Sequence, residues 1–300
     1  MTFSVNDGPY AGQDGTKVTS RQIWDRLQRE AEGNVAIRVT LSEDRDAYEV
    51  AGRGELQLAV LIETMRREGF ELCVGRPRVL FQTDPRSGER LEPIEEVVVD
   101  VDEEYSGVVV EKLTARRAEL KNLRPAGAGK QRIVFHAPSR ALIGYFGEFL
   151  TDTRGTGVLN RVFAAYEPFK GAIQQRHTGV LISSELGEST AYALFSLEDR
   201  GPLFIGAGEK IYAGMVIGEH TRGNDLDVNP LRAKKLTNIR AAGKDDNLLL
   251  TPPVRMTLER SIAYVADDEL VEVTPKAVRL RKRHLDANDR KRLSRHKDVA

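Results

Sequence analysis

The sequence is short of several things, and each scarcity excludes a class of protein. A single cysteine, Cys73, rules out an internal disulfide, and no Cys/His spacing suggests zinc. It sits in the apolar run 70–74 and reads as a buried strand residue. No stretch approaches the ~18–20 apolar residues of a membrane span. The opening residues, Met-Thr-Phe-Ser-Val-Asn-Asp, lack the charged-then-apolar build of a secretory leader, so a cytoplasmic location with no membrane partner is expected. Lys+Arg and Asp+Glu both count 45, which excludes a uniformly basic nucleic-acid coat and a uniformly acidic tail. With 40% apolar and 30% charged residues over 300 positions, the chain is ordinary globular protein of two or three domains.

Catalytic signatures are missing too. Gly127-Ala-Gly-Lys resembles the end of a phosphate loop, but Arg124 and Gln131 stand where Gly and Ser or Thr are needed. Asp152-Thr-Arg-Gly is a bare D-x-x-G, and no Asn-Lys-x-Asp occurs to read guanine. Gly187-Glu-Ser-Thr-Ala misses the nucleophile elbow at its last position. The five histidines, His136, His177, His220, His284 and His296, show no metal-ligand pairing. No catalytic residue and no metal site is expected.

What the chain does have is segregated charge and a repeated order of elements. The net charge is −6 before His220 and +6 from His220 onward. A polyanion-binding face therefore belongs to the last quarter of the chain. The periodicity over 2–81 reads as β-α-β-β-α-β, with Leu58, Leu61, Ile62 and Met65 at helical spacing. The same order recurs over 94–166, which predicts two tandem ferredoxin-like α/β sandwiches in an α+β chain. After Gly171, strand-like runs at 180–183, 191–196, 203–205 and 210–219 alternate with glycines. These read as a β-rich C-terminal domain or barrel, followed by a helix near 258–265, strands at 270–274 and 276–283, and a last helix capped by Asp286 or Asp289. The expected divisions are 1–91, 92–170 and 171–300.

Two basic features stand out. Residues 222–247 have no clean period and carry Arg222, Arg232, Lys234, Lys235, Arg240 and Lys244, a length of loop that is usually functional or disordered. In 276–283, strand alternation puts Arg279, Arg281 and Arg283 on one face, ~6.8 Å apart, a row able to follow a phosphate backbone. The alternative for that strand is a charged, solvated edge. Aromatic residues are only 6% of the chain and absent from both features, which favours backbone and shape recognition over base stacking.

Several segments are specific enough to carry a resemblance. Gly52-Arg-Gly-Glu-Leu, Met65-Arg-Arg-Glu-Gly-Phe-Glu-Leu, Pro138-Ser-Arg-Ala-Leu-Ile-Gly, Gly179-Val-Leu-Ile-Ser and Lys234-Lys-Leu-Thr-Asn are similar to the TypA/BipA translational GTPases. Pro253-Val-Arg-Met-Thr-Leu-Glu, Asp268-Glu-Leu-Val-Glu-Val-Thr-Pro and Arg281-Lys-Arg-His-Leu continue the likeness, which runs essentially from end to end. The resemblance implies the part of that family that follows its GTPase domain and β-barrel: two elongation-factor-G-like domains and the family's own C-terminal domain. It implies no cofactor here, with GTP and magnesium held by the absent N-terminal domain of the parent. It also implies docking on the bacterial 70S ribosome, large-subunit rRNA and A-site tRNA, and a parent concerned with stress adaptation and large-subunit assembly. Carried over by position, the contact residues are Arg222, Asn224, Arg232, Lys234, Lys235, Thr237, Asn238, Arg240 and Lys244. To these the strand adds Arg279, Arg281, Lys282, Arg283 and His284. The competing expectation is a metabolite-sensing module, since tandem ferredoxin-like domains host many functions.

Overall fold

In the computed structural model, which describes residues 1–42, 47–173, 176–233 and 249–297, the first split β-α-β unit forms as its periodicity requires. Strand β1 (Thr2–Val5) is followed by helix α1 (Ser20–Gly33), β2 (Arg38–Leu41), β3 (Tyr48–Ala51), α2 (Glu55–Arg67) and β4 (Leu72–Val74). Thr19 caps α1 in a reciprocal capping box with Gln22, and Ile23 and Leu27 face inward. Helix α2 buries Leu58, Leu61, Ile62 and Met65. The strands lie antiparallel in the order β4-β1-β3-β2, the ferredoxin-like arrangement.

The second unit, residues 77–175, repeats the order. A short β5 (Gln82–Thr83) precedes β6 (Arg90–Asp102), α3 (Glu103–Ala115), β7 (Glu119–Gly127), β8 (Lys130–Pro138), α4 (Tyr145–Asp152) and β9 (Val158–Pro168). Strand β6 pairs with β8 and β9, and β7 pairs with β8, so the order β9-β6-β8-β7 matches the first unit. Val97, Val99, Ile133 and Phe135 face Val109, Leu113 and Phe149 in a core of their own. The Gly127-Ala-Gly-Lys stretch is the β7–β8 hairpin turn, with Gly127, Ala128 and Gly129 all at positive φ. It does not open a helix, so it has no phosphate-loop geometry.

The remaining residues are the strand-rich part expected after Gly171, but among the described residues they close no barrel: most of their strands join the first sheet. Strand β10 (Gly179–Ser183) precedes β11 (Gly187–Glu188), helix α5 (Ala191–Leu197), β12 (Lys210–Ile211), β13 (Met215–His220) and β14 (Leu226–Val228). Helix α6 (Leu258–Tyr264), β15 (Glu269–Val273), β16 (Val278–Lys282) and helix α7 (Ala287–Lys297) follow. Strands β11 and β12 form a small ribbon. The others extend the first sheet, because β15 pairs with β4: Val271 faces Val74, Glu272 faces Cys73, and Val273 faces Leu72. The result is one open nine-stranded sheet, β14-β10-β13-β16-β15-β4-β1-β3-β2. Residues 1–76 and 176–300 thereby make one compact unit. Phe3, Leu72 and Val74 share a core with Val216, Val271, Val273, Leu258 and Ile262. A second core, on Leu181, Leu203, Ile205, Tyr212 and Ile217, includes Leu194 of α5.

Residues 191–197 form helix α5 and not the strand expected over 191–196. Thr190 accepts a hydrogen bond from the Ala193 amide and starts α5, and Ala193 and Leu194 are its buried residues. A five-residue apolar run, 191–195, satisfies either period, and the cap decides.

Candidate nucleic-acid interface

The basic segment that begins at Arg222 is held by close backbone contacts. At the end of β13, the Arg222 carbonyl accepts from the Gly179 amide at 2.7 Å. The His220 Nδ1 lies 2.6 Å from the Asn224 carbonyl. A Cβ on Gly179 would lie 2.1 Å from that same carbonyl oxygen, so only glycine admits the approach. Arg222 and Asn224 consequently sit at the surface with fixed backbones and exposed side chains.

Helix α5 lies beside both flanks of the segment. On the N-terminal flank, the Thr190 amide donates to the Pro230 carbonyl at 3.0 Å and its hydroxyl to the Arg232 carbonyl at 2.8 Å. On the C-terminal flank, the Thr251 amide donates to Glu198 Oε1 at 2.6 Å, and the Val254 amide to the Leu203 carbonyl at 2.8 Å. Arg232 is exposed. Lys234, Lys235, Thr237, Asn238, Arg240 and Lys244 lie outside the described residues.

Sequence reading passed over one cation at this place. Arg200 ends the turn after α5, and its carbonyl accepts from the Thr221 amide at 2.9 Å, next to Arg222. The following Gly201, at φ +143°, lets the two segments meet; a Cβ there would lie 2.1 Å from the Glu219 carbonyl oxygen. Arg200, Arg222 and Arg232 are all exposed and none has an acidic partner among the described residues. Only the fold reveals this, since Arg200 is a lone basic residue between Asp199 and Gly201 in the sequence.

The strand β16 overturns the expectation of a surface row of arginines. Arg281 is 1% exposed and Lys282 2% exposed. Arg281 pairs with Asp7 at 2.5 Å, and Arg279 pairs with buried Glu272 at 3.1 Å and approaches Asp14 at 3.9 Å. Residues 7–15 cover this face of the sheet, and the buried Glu71 carboxylate ties them down by accepting from the amides of Gly12, Asp14 and Gly15 at 2.6–2.8 Å. Lys282, on the opposite side of the strand, contacts Asp225, Asp268 and Glu269 at 2.6, 2.8 and 3.0 Å. Burial pulls the Lys282 ammonium down, but Glu269 and the two aspartates outweigh it and hold the group up at about 12. Burial likewise works against the charge of Asp268, and the ammonium of Lys282 overcomes it to keep that carboxyl below its usual range. Glu269 is fully buried and accepts from the two terminal guanidinium nitrogens of Arg176, at 2.8 and 3.1 Å. These cations are spent inside the protein. Of the predicted strand residues, Arg283 and His284 are the exposed ones.

Among the described residues no group of His, Cys, Asp and Glu is arranged to hold a metal ion, and no helix is long and apolar enough to cross a membrane. Cys73 is buried, and desolvation pushes its thiol up to about 12.

The chain is similar to proteins of known families. Residues 178–287 match the TypA/BipA C-terminal domain, and residues 89–177 match the elongation factor G C-terminus. Over 296 residues, 98% of its length, the chain is 52% identical to the large ribosomal subunit assembly factor BipA of Escherichia coli (strain K12), covering 48% of that protein. It is 51% identical to the Haemophilus influenzae protein of the same name, again over 98% of this chain and 48% of the relative. For the Buchnera aphidicola protein the identity is 46%, over 99% of this chain and 49% of the relative. The chain therefore spans about half the length of the curated relatives it matches.

Proposed function

We propose that this chain, a member of the TypA/BipA family, is the ribosome-docking C-terminal region of a translational GTPase that acts in assembly of the large ribosomal subunit. Docking is electrostatic and directed at ribosomal RNA and A-site tRNA. Arg222 and Arg232, at the flanks of the basic segment, contact phosphates, and Asn224 adds hydrogen bonds to phosphate or 2′-hydroxyl groups. Arg200, whose carbonyl is bonded to the residue before Arg222, adds a third cation there, and Arg283 and His284 are further exposed basic residues available to RNA. GTP and its magnesium ion are handled by the N-terminal half of such a protein, and this region's part is binding and positioning. The buried ion pairs of β16 keep that region rigid and make no RNA contact.

One observation carries the reading. In a chain without net charge, where Arg176, Arg279, Arg281 and Lys282 are all paired internally, Arg222 and Arg232 stay exposed and without acidic partners among the described residues. The names of the relatives, large-subunit assembly factors, support the choice of partner.

Co-sedimentation with 70S ribosomes and with isolated large subunits across a salt series tests it. Saturable binding that falls steeply with salt is expected. Absence of binding at low salt would remove the reading of this region as a docking element in its own right.

A further inference from the structure

The aromatic side chains absent from the basic segment in sequence are supplied next to it by the fold. Tyr192 and Phe195 lie three residues apart on α5, and they are 40% and 47% exposed. That spacing places both rings on one face of a helix, whereas a strand over these residues would have sent them to opposite faces. The other face of α5, Ala193 and Leu194, is buried, so the helix cannot turn to hide the rings. Neither ring takes part in an aromatic pair or a cation–π contact among the described residues. Exposing two large aromatic groups side by side costs the hydrophobic free energy that burial would return.

The cations around them indicate what covers the rings. Arg232 is tethered to the residue that caps α5, and Arg200 follows the helix, with Arg222 beside it. Three residues with exposed guanidinium groups thus follow from backbone contacts with the helix cap and with the turn after the helix, and the exposed acids nearby in sequence are Glu188 and Asp199. Planar π-faces between exposed cations are the composition of a surface for unpaired nucleotides: arginines follow the phosphates and rings stack on bases. A purely apolar partner would leave three desolvated charges without counter-ions.

We propose that Tyr192 and Phe195 form a stacking platform for unpaired bases of single-stranded RNA, flanked by Arg200, Arg222 and Arg232 as phosphate contacts. This inference rests on the RNA-docking reading above and adds a base-stacking site to it.

The test compares binding of the full chain to a short single-stranded RNA of mixed sequence and to an abasic strand of equal length and charge. The wild-type chain should bind the base-bearing strand more tightly. Replacing Tyr192→Leu and Phe195→Leu keeps apolar area and helix propensity but removes the π-faces. Each change should weaken that binding by about five-fold or more, leave abasic binding unaltered, and leave the slope of affinity against salt unchanged. Phe195→Trp should retain binding and show quenched fluorescence on the base-bearing strand alone. Both positions are exposed, and circular dichroism would check that the variants remain folded. Equal binding of the two strands by the wild-type chain would overturn the stacking platform while leaving electrostatic docking in place. Equal binding together with weaker large-subunit binding by the leucine variants would also overturn it and give the face to a protein. No binding to either strand or to ribosomes would remove both the platform and the docking reading.

Discussion

Strand β16 and the surroundings of helix α5 are both rich in cations, and the fold treats them in opposite ways. On β16, Arg279, Arg281 and Lys282 are drawn into ion pairs beneath residues 7–15 and beside Glu269. Around α5, Arg200, Arg222 and Arg232 keep exposed side chains and have backbones pinned by hydrogen bonds. A basic residue offers charge to a partner only when the protein has not already used it. The difference lies in what each element faces, because β16 is an interior strand with neighbours on both sides and a covering loop.

The largest expected effect comes from breaking the interior set. Glu269→Ala leaves Lys282 and Arg176 short of their shared carboxylate in a buried site, and should lower stability by about 3–5 kcal/mol in urea denaturation. A loss below about 1 kcal/mol would show these cations to be solvated, and would erase the contrast with α5. Gly201→Ala comes next. Its Cβ would meet the Glu219 carbonyl oxygen at 2.1 Å at a backbone conformation that favours glycine, so a cost of about 2–3 kcal/mol is expected. Because the same contact sets Arg200 beside Arg222, RNA affinity should fall with it.

The pH dependence sharpens the comparison further. The folded protein holds Lys282 above its ordinary value of 10.5, so its contribution is full below that pH and is lost as pH rises through about 12. That contribution is on the order of 2 kcal/mol, and Lys282→Met should abolish this alkaline loss in denaturation profiles. Asp268 has the opposite sign: its lowered pKa contributes stability above the usual carboxylate range, which is lost as pH falls through the folded value. The smallest effect is predicted for Arg222→Ala with Arg232→Ala, whose unfolding free energy should stay within about 0.5 kcal/mol of wild type.

Much of the fold is legible in the sequence because its signals are local. The helical stripe of Leu58, Leu61, Ile62 and Met65, the cap at Thr19 and the recurring β-α-β-β-α-β order each lie within a short window. The pairing of β15 with β4 is not legible, since it joins Glu272 to Cys73 across most of the chain and leaves no periodic trace in either. The same distance explains the misreading of β16. Alternation correctly separates Arg279 and Arg281 from Leu280, but Asp7 and Asp14, which lie opposite them, come from the other end of the chain. Arg222 and Arg232 are legible as part of the basic segment 222–247, which also carries Asn224. Arg200, Tyr192 and Phe195 are not, because their places depend on a short helix that the apolar run alone does not distinguish from a strand.

The most direct test of the central claim is the slope of large-subunit affinity against salt for the wild-type chain and for the triple variant Arg200→Ala, Arg222→Ala, Arg232→Ala. If these exposed arginines meet phosphates, each lost contact should reduce the slope by about 0.7–0.9, and the variant should bind weakly with a slope shallower by about 2–3. An unchanged slope and affinity would contradict the account and place the docking surface elsewhere on the chain.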